Sequence, residues 1–248
     1  MTIAVIGGSG GLGEAVVRRI ATRAPVVIGY RSNRAKAESL VEAVRAAGGN
    51  ACAVSVDITA SDSVREFFAA AARDAGAITH IVSATGPAIP LAPLLEVSEA
   101  DFRRIMDTDV LGTFNVLRHG IPVLQRAGGG SITVFVTTAV LRTLENDGMS
   151  SVPKTAVAGL VRLAAREAGP QNVRCNAVAP GVIDAGIVHS AFTVSDVAKQ
   201  VIAHCLERTP MPRMGRPEEV AALADFLCSD AAAYINGQII GIDGGYSA

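Results

Sequence analysis

Five glycines crowd into Gly7-Gly8-Ser9-Gly10-Gly11-Leu12-Gly13, directly behind the apolar run Ile3-Ala4-Val5-Ile6. A helix-like stretch, Glu14 to Ala21, follows them. A buried strand delivering the chain to a tight turn ahead of a helix suits a pyrophosphate. Glycine is needed there because a Cβ would block the approach of the phosphates or forbid the positive φ of the turn. The next helix aims its N-terminal amides and positive dipole end at the same point. Gly7, Ser9, Gly10, Gly11, Leu12 and Gly13 are therefore the candidate phosphate-binding residues. Their spacing, Gly7-xxx-Gly11-x-Gly13, departs from the common G-x-G-x-x-G pattern, and a plain hairpin or helix start competes with this reading of the segment alone.

The second strand bears on which dinucleotide is held. An acidic residue at its end normally bonds the adenosine ribose hydroxyls and selects NAD. Here the strand ends Ile28-Gly29-Tyr30-Arg31-Ser32-Asn33, with no carboxylate in reach. The forked guanidinium of Arg31 suits a 2′-phosphate, and Ser32 and Asn33 add donors. This favours NADP(H) over NAD(H), against the plain alternative that Arg31 is a solvated loop cation. Asp57-Ile58, closing the third strand, is placed to meet the edge and face of the adenine.

These positions need a scaffold, and the hydrophobic pattern supplies one. Strand-length apolar runs at 2–6, 25–30, 51–56, 79–84, 131–137, 172–178 and 238–242 alternate with helical stretches near 12–23, 33–47, 61–75, 98–126, 151–168 and 216–228. Strands rich in Val, Ile and Ala on both faces predict a parallel sheet covered on both sides. Right-handed crossovers then give an α/β, Rossmann-type doubly wound sheet of seven strands in a single domain, with ligands outside the carboxyl ends of the strands. Residues 182–210 carry weak periodicity between turn-rich ends. They read as a substrate-side lobe or lid, or equally as an ordinary surface helix pair.

Composition excludes several classes. The 248 residues suit one domain, and half are apolar, yet no uninterrupted apolar stretch approaches the roughly 20 residues of a membrane span. The N-terminal apolar run feeds the glycine turn and does not resemble a signal peptide. A net charge of −1 with scattered Lys and Arg offers no stripe for nucleic acid. Cys52, Cys175, Cys205 and Cys228 form no C-x-x-C pair and read as buried free thiols of a cytoplasmic protein. With His80, His119, His189 and His204 they make no ligand-spaced cluster, so no metal site is expected.

Together with the glycine spacing and Asp57-Ile58, Pro180-Gly181 and the ending from Gly237-Gln238 to Asp243-Gly244-Gly245 make the chain resemble the short-chain dehydrogenase/reductase family over essentially its full length. Arg213-Met214-Gly215-Arg216-Pro217-Glu218-Glu219-Val220 and Tyr234-Ile235-Asn236-Gly237 resemble C-terminal signatures of the branch containing 3-oxoacyl-acyl-carrier-protein reductases. Members of the family reduce carbonyls with a serine, a tyrosine and a lysine, supported by an asparagine. The tyrosine gives the proton; the lysine holds the nicotinamide ribose and lowers the tyrosine's pKa. By this resemblance Lys154 is the lysine, Ser150 stands at the tyrosine position, Thr137 at the serine and Asp109 at the asparagine. The N-N-A-G segment reads Ser83-Ala84-Thr85-Gly86, and Ser83, Ala84, Pro180, Gly181 and Ile183 join the cofactor-binding set.

A serine hydroxyl is a far weaker and shorter acid than a phenol, which titrates near pH 10 before a neighbouring ammonium lowers it. Loss of a positioned general acid removes about 10²–10⁴-fold in rate. Water on Ser150 and Lys154 could fill the vacated volume. Glu145, Asp147, Asp109 and His189 are other acids within reach, although Glu145, Asp147 and His189 read more simply as surface residues. The resemblance implies an NADP(H)-dependent reductase of a ketone or 3-oxoacyl thioester with an atypical active site. A dehydratase or isomerase on the same scaffold, or a silent NADP(H)-binding partner or sensor, are the alternatives. Residues 86–97 and 182–210 would line an apolar pocket for a small-molecule or carrier-bound substrate. The long helices at 98–126 and 151–168 would pair in a homotetramer or homodimer.

Overall fold

Strands that are apolar on both faces need cover on both faces, and the chain provides it by returning to one sheet after each helix. The computed structural model describes residues 1–87, 89–185 and 196–248. The strands are β1 (Thr2–Ile6), β2 (Val26–Tyr30), β3 (Ala51–Ser55), β4 (Ile78–Ser83), β5 (Gly130–Phe135), β6 (Val173–Pro180) and β7 (Ile239–Ile242). They form one parallel seven-stranded sheet in the order β3-β2-β1-β4-β5-β6-β7. Central β1 shows the register: Val5 lies opposite Ile28 of β2 and Val82 of β4.

Successive side chains point to opposite faces, so β1 splits its residues between two core layers. Ala4 and Ile6 join Phe67, Phe68, Val116, Leu124, Val157 and Val161 under α3 (Ser61–Ala75), α5 (Gly112–Arg126) and α6 (Gly148–Ala168). Ile3 and Val5 join Val16, Ile20, Leu40 and Val220 on the other side, under α1 (Gly11–Ile20), α2 (Arg34–Ala46) and α8 (Pro217–Leu227). Arg19 of α1 and Arg23, in the turn just after it, both reach Asp225 of α8, at 3.1 and 2.6 Å. The start of α8 explains one motif: Pro217 needs no amide partner in the first turn, while Glu219 accepts from Arg216 N at 2.7 Å.

The expected architecture is present, with informative differences at three element ends. The stretch at 98–126 is α4 (Glu99–Met106) passing through a π-helical turn (Asp107–Leu111) into α5. That wider turn brings Thr108 and Asp109 to the interior. The helix expected to start at 151 begins at Gly148, placing Ser150 in its first turn. Pro153 is tolerated inside this helix, not at its start. Finally, β5 stops at Phe135, so Thr137 leaves the sheet. Within 182–210, residues 196–207 form α7 (Asp196–Glu207); residues 186–195, His189 included, lie outside the described residues.

The C-terminal strand is tied down by two asparagines, Asn176 fully buried and Asn236 partly so. Asn176 Nδ2 donates to Ile235 O at 2.8 Å and its Oδ1 accepts from Gln238 N at 3.0 Å. Asn236 Oδ1 accepts from Cys175 N at 2.9 Å, and its Nδ2 donates to Ala165 O at 2.9 Å. Asn176→Ala removes the acceptor of the Gln238 amide and the donor to the Ile235 carbonyl. Unfolding free energy is expected to fall by about 2–3 kcal/mol, seen as a lower urea midpoint at unchanged m-value.

Candidate active site

The site residues come together because the ends of parallel strands share one edge of the sheet. Gly7–Gly13 follows β1, Arg31 follows β2, Asp57 follows β3, Ala84 follows β4, Thr137 follows β5 and Gly181 follows β6. In the glycine turn, Gly7 has φ +79°, and a Cβ there would lie 2.7 Å from Ala84 O. A Cβ on Gly13 would overlap Gly7 O outright. Gly29 O accepts from Gly7 N and Gly8 N at 2.9 and 3.1 Å, holding the turn against β2. Gly10, the N-cap of α1, offers no side-chain cap. The first amides of α1, on Gly11, Leu12 and Gly13, thus face outward as a ready anion site beside the half-buried Ser9. The residues present fit the pyrophosphate of a dinucleotide.

Beyond β2, Tyr30 packs partly buried on the α1–α2 layer, while Arg31, Ser32 and Asn33 are exposed. Asn33 Oδ1 caps α2 by accepting from Lys36 N at 3.0 Å, leaving its amide group for other partners. Neighbouring carboxylates are engaged elsewhere: Glu38 with Arg34 at 2.7 Å, Glu14 with Arg18 at 2.8 Å. Among the described residues Arg31 makes no salt bridge. Asp57 Oδ1 accepts from Thr59 N and Thr59 Oγ1 at 3.0 and 2.7 Å, and Ile58 is buried against Gly112, its carbonyl held by Asn115 Nδ2 at 2.8 Å.

The inner wall is formed by Lys154. Its Nζ lies 3.0 Å from Asp109 Oδ1 and donates to Thr85 O at 3.2 Å. Lys154 is 9% exposed and Asp109 2%. Three elements meet here: α6 carries the lysine, the π turn the aspartate, and the segment after β4 the carbonyl. Ser83, buried at the end of β4, has its Oγ 3.3 Å from Thr85 Oγ1. Because Gly7 abuts Ala84 and Thr85, the lysine and the glycine turn share one neighbour.

Thr137 and Ser150 complete the group. Thr137 Oγ1 accepts from Ala139 N at 3.3 Å. Its position is set from behind by Thr138, whose Oγ1 donates to Asp243 Oδ2 at 2.5 Å. Burial pulls the Asp243 carboxyl up, but hydrogen bonds from Ser247, Thr138 and Gly245 outweigh it and leave it below the usual carboxylate range. Ser150 is four residues before Lys154, one turn earlier on α6. Its backbone amide donates to Asp147 O at 3.1 Å. The hydrogen bond of the Thr137 hydroxyl therefore runs to Ala139, not to Lys154. At the end of β6, Pro180 is buried, Gly181 N donates to Ile242 O at 3.1 Å, and Ile183 is buried against Gly215.

Two features escaped the sequence reading. Thr85 O is the backbone partner of Lys154, which no side-chain pattern announces. Asp147 is 7% exposed, not a surface charge, whereas Glu145 is exposed as expected. Burial raises the Asp147 carboxyl to about 7, against the lowering effect of the Ser150 hydroxyl. The signal for it lay in its place just before the helix that bears Ser150 and Lys154.

The family model described as enoyl-(acyl carrier protein) reductase matches residues 7–247. A cis-4-hydroxycyclohexanecarboxylate dehydrogenase of Sinomonas cyclohexanicum is 37% identical over 98% of this chain and 95% of its own. A 3-oxoacyl-acyl-carrier-protein reductase of Staphylococcus epidermidis is 30% identical, over 97% of this chain and 96% of its own. A solved short-chain dehydrogenase/reductase from Mycobacterium ulcerans superposes with a TM-score of 0.92 and 33% identity, covering 99% of this chain and 89% of that one. With the glycine turn and Lys154 at the carboxyl edge of this sheet, the chain belongs to the short-chain dehydrogenase/reductase family, oxidoreductases that use nicotinamide cofactors.

Proposed function

We propose that the protein is an NADP(H)-dependent carbonyl oxidoreductase. It interconverts a ketone or 3-oxoacyl thioester with its secondary alcohol on an atypical active site, where Ser150 replaces the tyrosine of its relatives. The observation that carries this reading is the buried Lys154 ammonium, held between Thr85 O and Asp109 beside an uncapped glycine turn. Holding an ammonium out of water is expensive unless it is paired, and a site that had lost its cofactor would gain by replacing it.

The bound cofactor supplies the hydride. Gly7, Ser9, Gly10, Gly11, Leu12 and Gly13 bind its pyrophosphate. Arg31, with Ser32 beside Tyr30, pairs with the 2′-phosphate, and Asp57 and Ile58 meet the adenine. Ser83, Ala84, Pro180, Gly181 and Ile183 line the nicotinamide side, and Lys154 holds the ribose there. The Thr137 hydroxyl orients the substrate carbonyl oxygen. Asp109 holds the Lys154 side chain in place through the ion pair at 3.0 Å.

Relatives named for a hydroxycyclohexanecarboxylate and for a 3-oxoacyl carrier-protein substrate support a small or carrier-bound substrate of moderate polarity. Phe102, Leu111, Phe114 and Leu163 are exposed on α4, the π turn, α5 and α6. Large apolar side chains on one run of helices support pairing of copies through it. Four free thiols and the lack of any helix long and apolar enough to cross a membrane among the described residues agree with a cytoplasmic enzyme.

NADPH oxidation with a panel of cyclic ketones and 3-oxoacyl thioesters is expected to show steady turnover; none with any carbonyl overturns the reading. Arg31→Ala is expected to weaken NADPH binding about 10–100-fold, the range of one charge-assisted hydrogen-bonded pair, and to leave NADH binding nearly unchanged in fluorescence titration. Asp109→Ala leaves the Lys154 charge unpaired. It is expected to remove about 3 kcal/mol of stability in denaturant unfolding and to weaken cofactor binding. Asp109→Asn, which restores the amide of relatives, is expected to retain most of both.

A further inference from the structure

We infer that Arg142 is the anion receptor of this site and that the substrate is an oxo acid, a ketone bearing a free carboxylate. This rests on the carbonyl-oxidoreductase reading above and names the substrate class of that same site.

Arg142 is tied to Thr137 by one short turn. Thr137 caps the 3₁₀-helical turn Thr138–Val140 with its own hydroxyl. Leu141 N and Arg142 N then both donate to Thr138 O, at 2.8 and 3.0 Å. Five residues so wound, at roughly 1.5–2.0 Å each, put Arg142 about 8–10 Å along the turn from Thr137. The far end of the side chain is fixed as well. Arg142 Nη1 donates to Tyr246 O at 2.8 Å, and the guanidinium carbon stands 5.3 Å from the centre of the Tyr246 ring. A cation over an aromatic face is held there by the ring quadrupole without being neutralised.

Tyr246 is itself 3% exposed. It packs with Val201 and Cys205 of α7, and Leu91, Leu144 and Val182 close around them. Those three leucine and valine side chains belong to the segment after β4, the loop between β5 and α6, and the segment after β6. Each of these segments leaves the carboxyl end of its strand, on the edge of the sheet that carries the glycine turn. Arg142 therefore stands beside an apolar wall on the cofactor side of the sheet.

Its charge is uncompensated. Arg142 is exposed and makes no salt bridge among the described residues, whereas Lys154 has Asp109 at 3.0 Å. A guanidinium has five N–H donors, and the bond to Tyr246 O uses one. The edge that remains presents paired N–H groups in the geometry of a carboxylate. Tying the loop to the C-terminal segment does not require this cation. Thr138 Oγ1 already donates to Asp243 Oδ2 at 2.5 Å, and a neutral amide would serve the Tyr246 carbonyl. A carboxylate on the substrate accounts for the guanidinium. The wall takes the carbon skeleton, and the Thr137 hydroxyl takes the ketone oxygen. That separation suits a single ring or a short chain between carbonyl and carboxylate, while a thioester, uncharged at that end, leaves Arg142 unpaired.

The test compares oxo acids with their methyl esters, which keep the ketone and remove the charge. The probes are 3- and 4-oxocyclohexanecarboxylate and 5-oxohexanoate, each with NADPH. The native enzyme is expected to show kcat/KM about 10–100-fold higher for acid than for ester, the range of one charge-assisted pair, with the difference carried by KM. Arg142→Gln, which keeps an amide for Tyr246 O, is expected to bring that ratio to about 1. Arg142→Lys, which keeps the charge and loses the fork, is expected to fall between the two. Equal use of acid and ester by the native enzyme overturns the inference. So does a ratio that Arg142→Gln leaves intact, because a merely structural arginine changes both rates alike. Calorimetric titration with cyclohexanecarboxylate, which has no ketone to reduce, separates this inference from the reading beneath it. Binding that Arg142→Gln abolishes, in a protein that reduces no ketone, upholds the anion site and overturns the redox reading. Ketone reduction without charge preference overturns the anion site alone.

Discussion

A lysine ammonium withdrawn from water has to be paired, and the pairing of Lys154 fixes the inner wall of the site. Asp109 at 3.0 Å and Thr85 O at 3.2 Å draw together a helix, a π-helical turn and the loop after a central strand. None of the three is optional. The π turn brings Asp109 inside, the loop presents a carbonyl where β4 ends, and α6 runs across both. Gly7 then closes on Ala84 and Thr85 with no Cβ in the way. The wall around Lys154 and the glycine turn after β1 are in this way parts of one contact network.

The outer wall is built differently. Thr137 lies just past β5 and is steadied through Thr138 and Asp243, so a residue more than a hundred positions later positions it. The side-chain bonds of Asn176 and Asn236 hold the approach to β7, and β7 leads into the Asp243 turn. Stability and function meet in this chain of bonds.

Much of the architecture was legible from periodicity. The seven strands fell within a few residues of their expected positions because alternating burial on a two-sided sheet leaves Val, Ile and Ala little freedom. Element ends were harder. The helix expected over 151–168 starts three residues sooner, at Gly148. The π turn was invisible because one extra residue in a helix leaves the apolar spacing almost unchanged. In the site, the glycine turn and the absence of a carboxylate near Arg31 could be read locally, since each depends on neighbours in the chain. Asp147 could not. An aspartate in a Glu-Asn-Asp-Gly segment has the composition of a solvated loop, and only the elements folded over it remove the water.

The amino-acid order by itself determined a two-sided parallel sheet, a glycine turn with no room for side chains, and a lysine one helical turn beyond a serine. These follow from backbone sterics and hydrophobic spacing, which act over a few residues. Tertiary structure decided which carboxylate meets the lysine, which backbone oxygen receives it, and that Asp147 lies buried against Ser150. Those outcomes depend on desolvation and on contacts between distant segments. A charge's environment is set by what packs over it, not by the residues beside it in the chain.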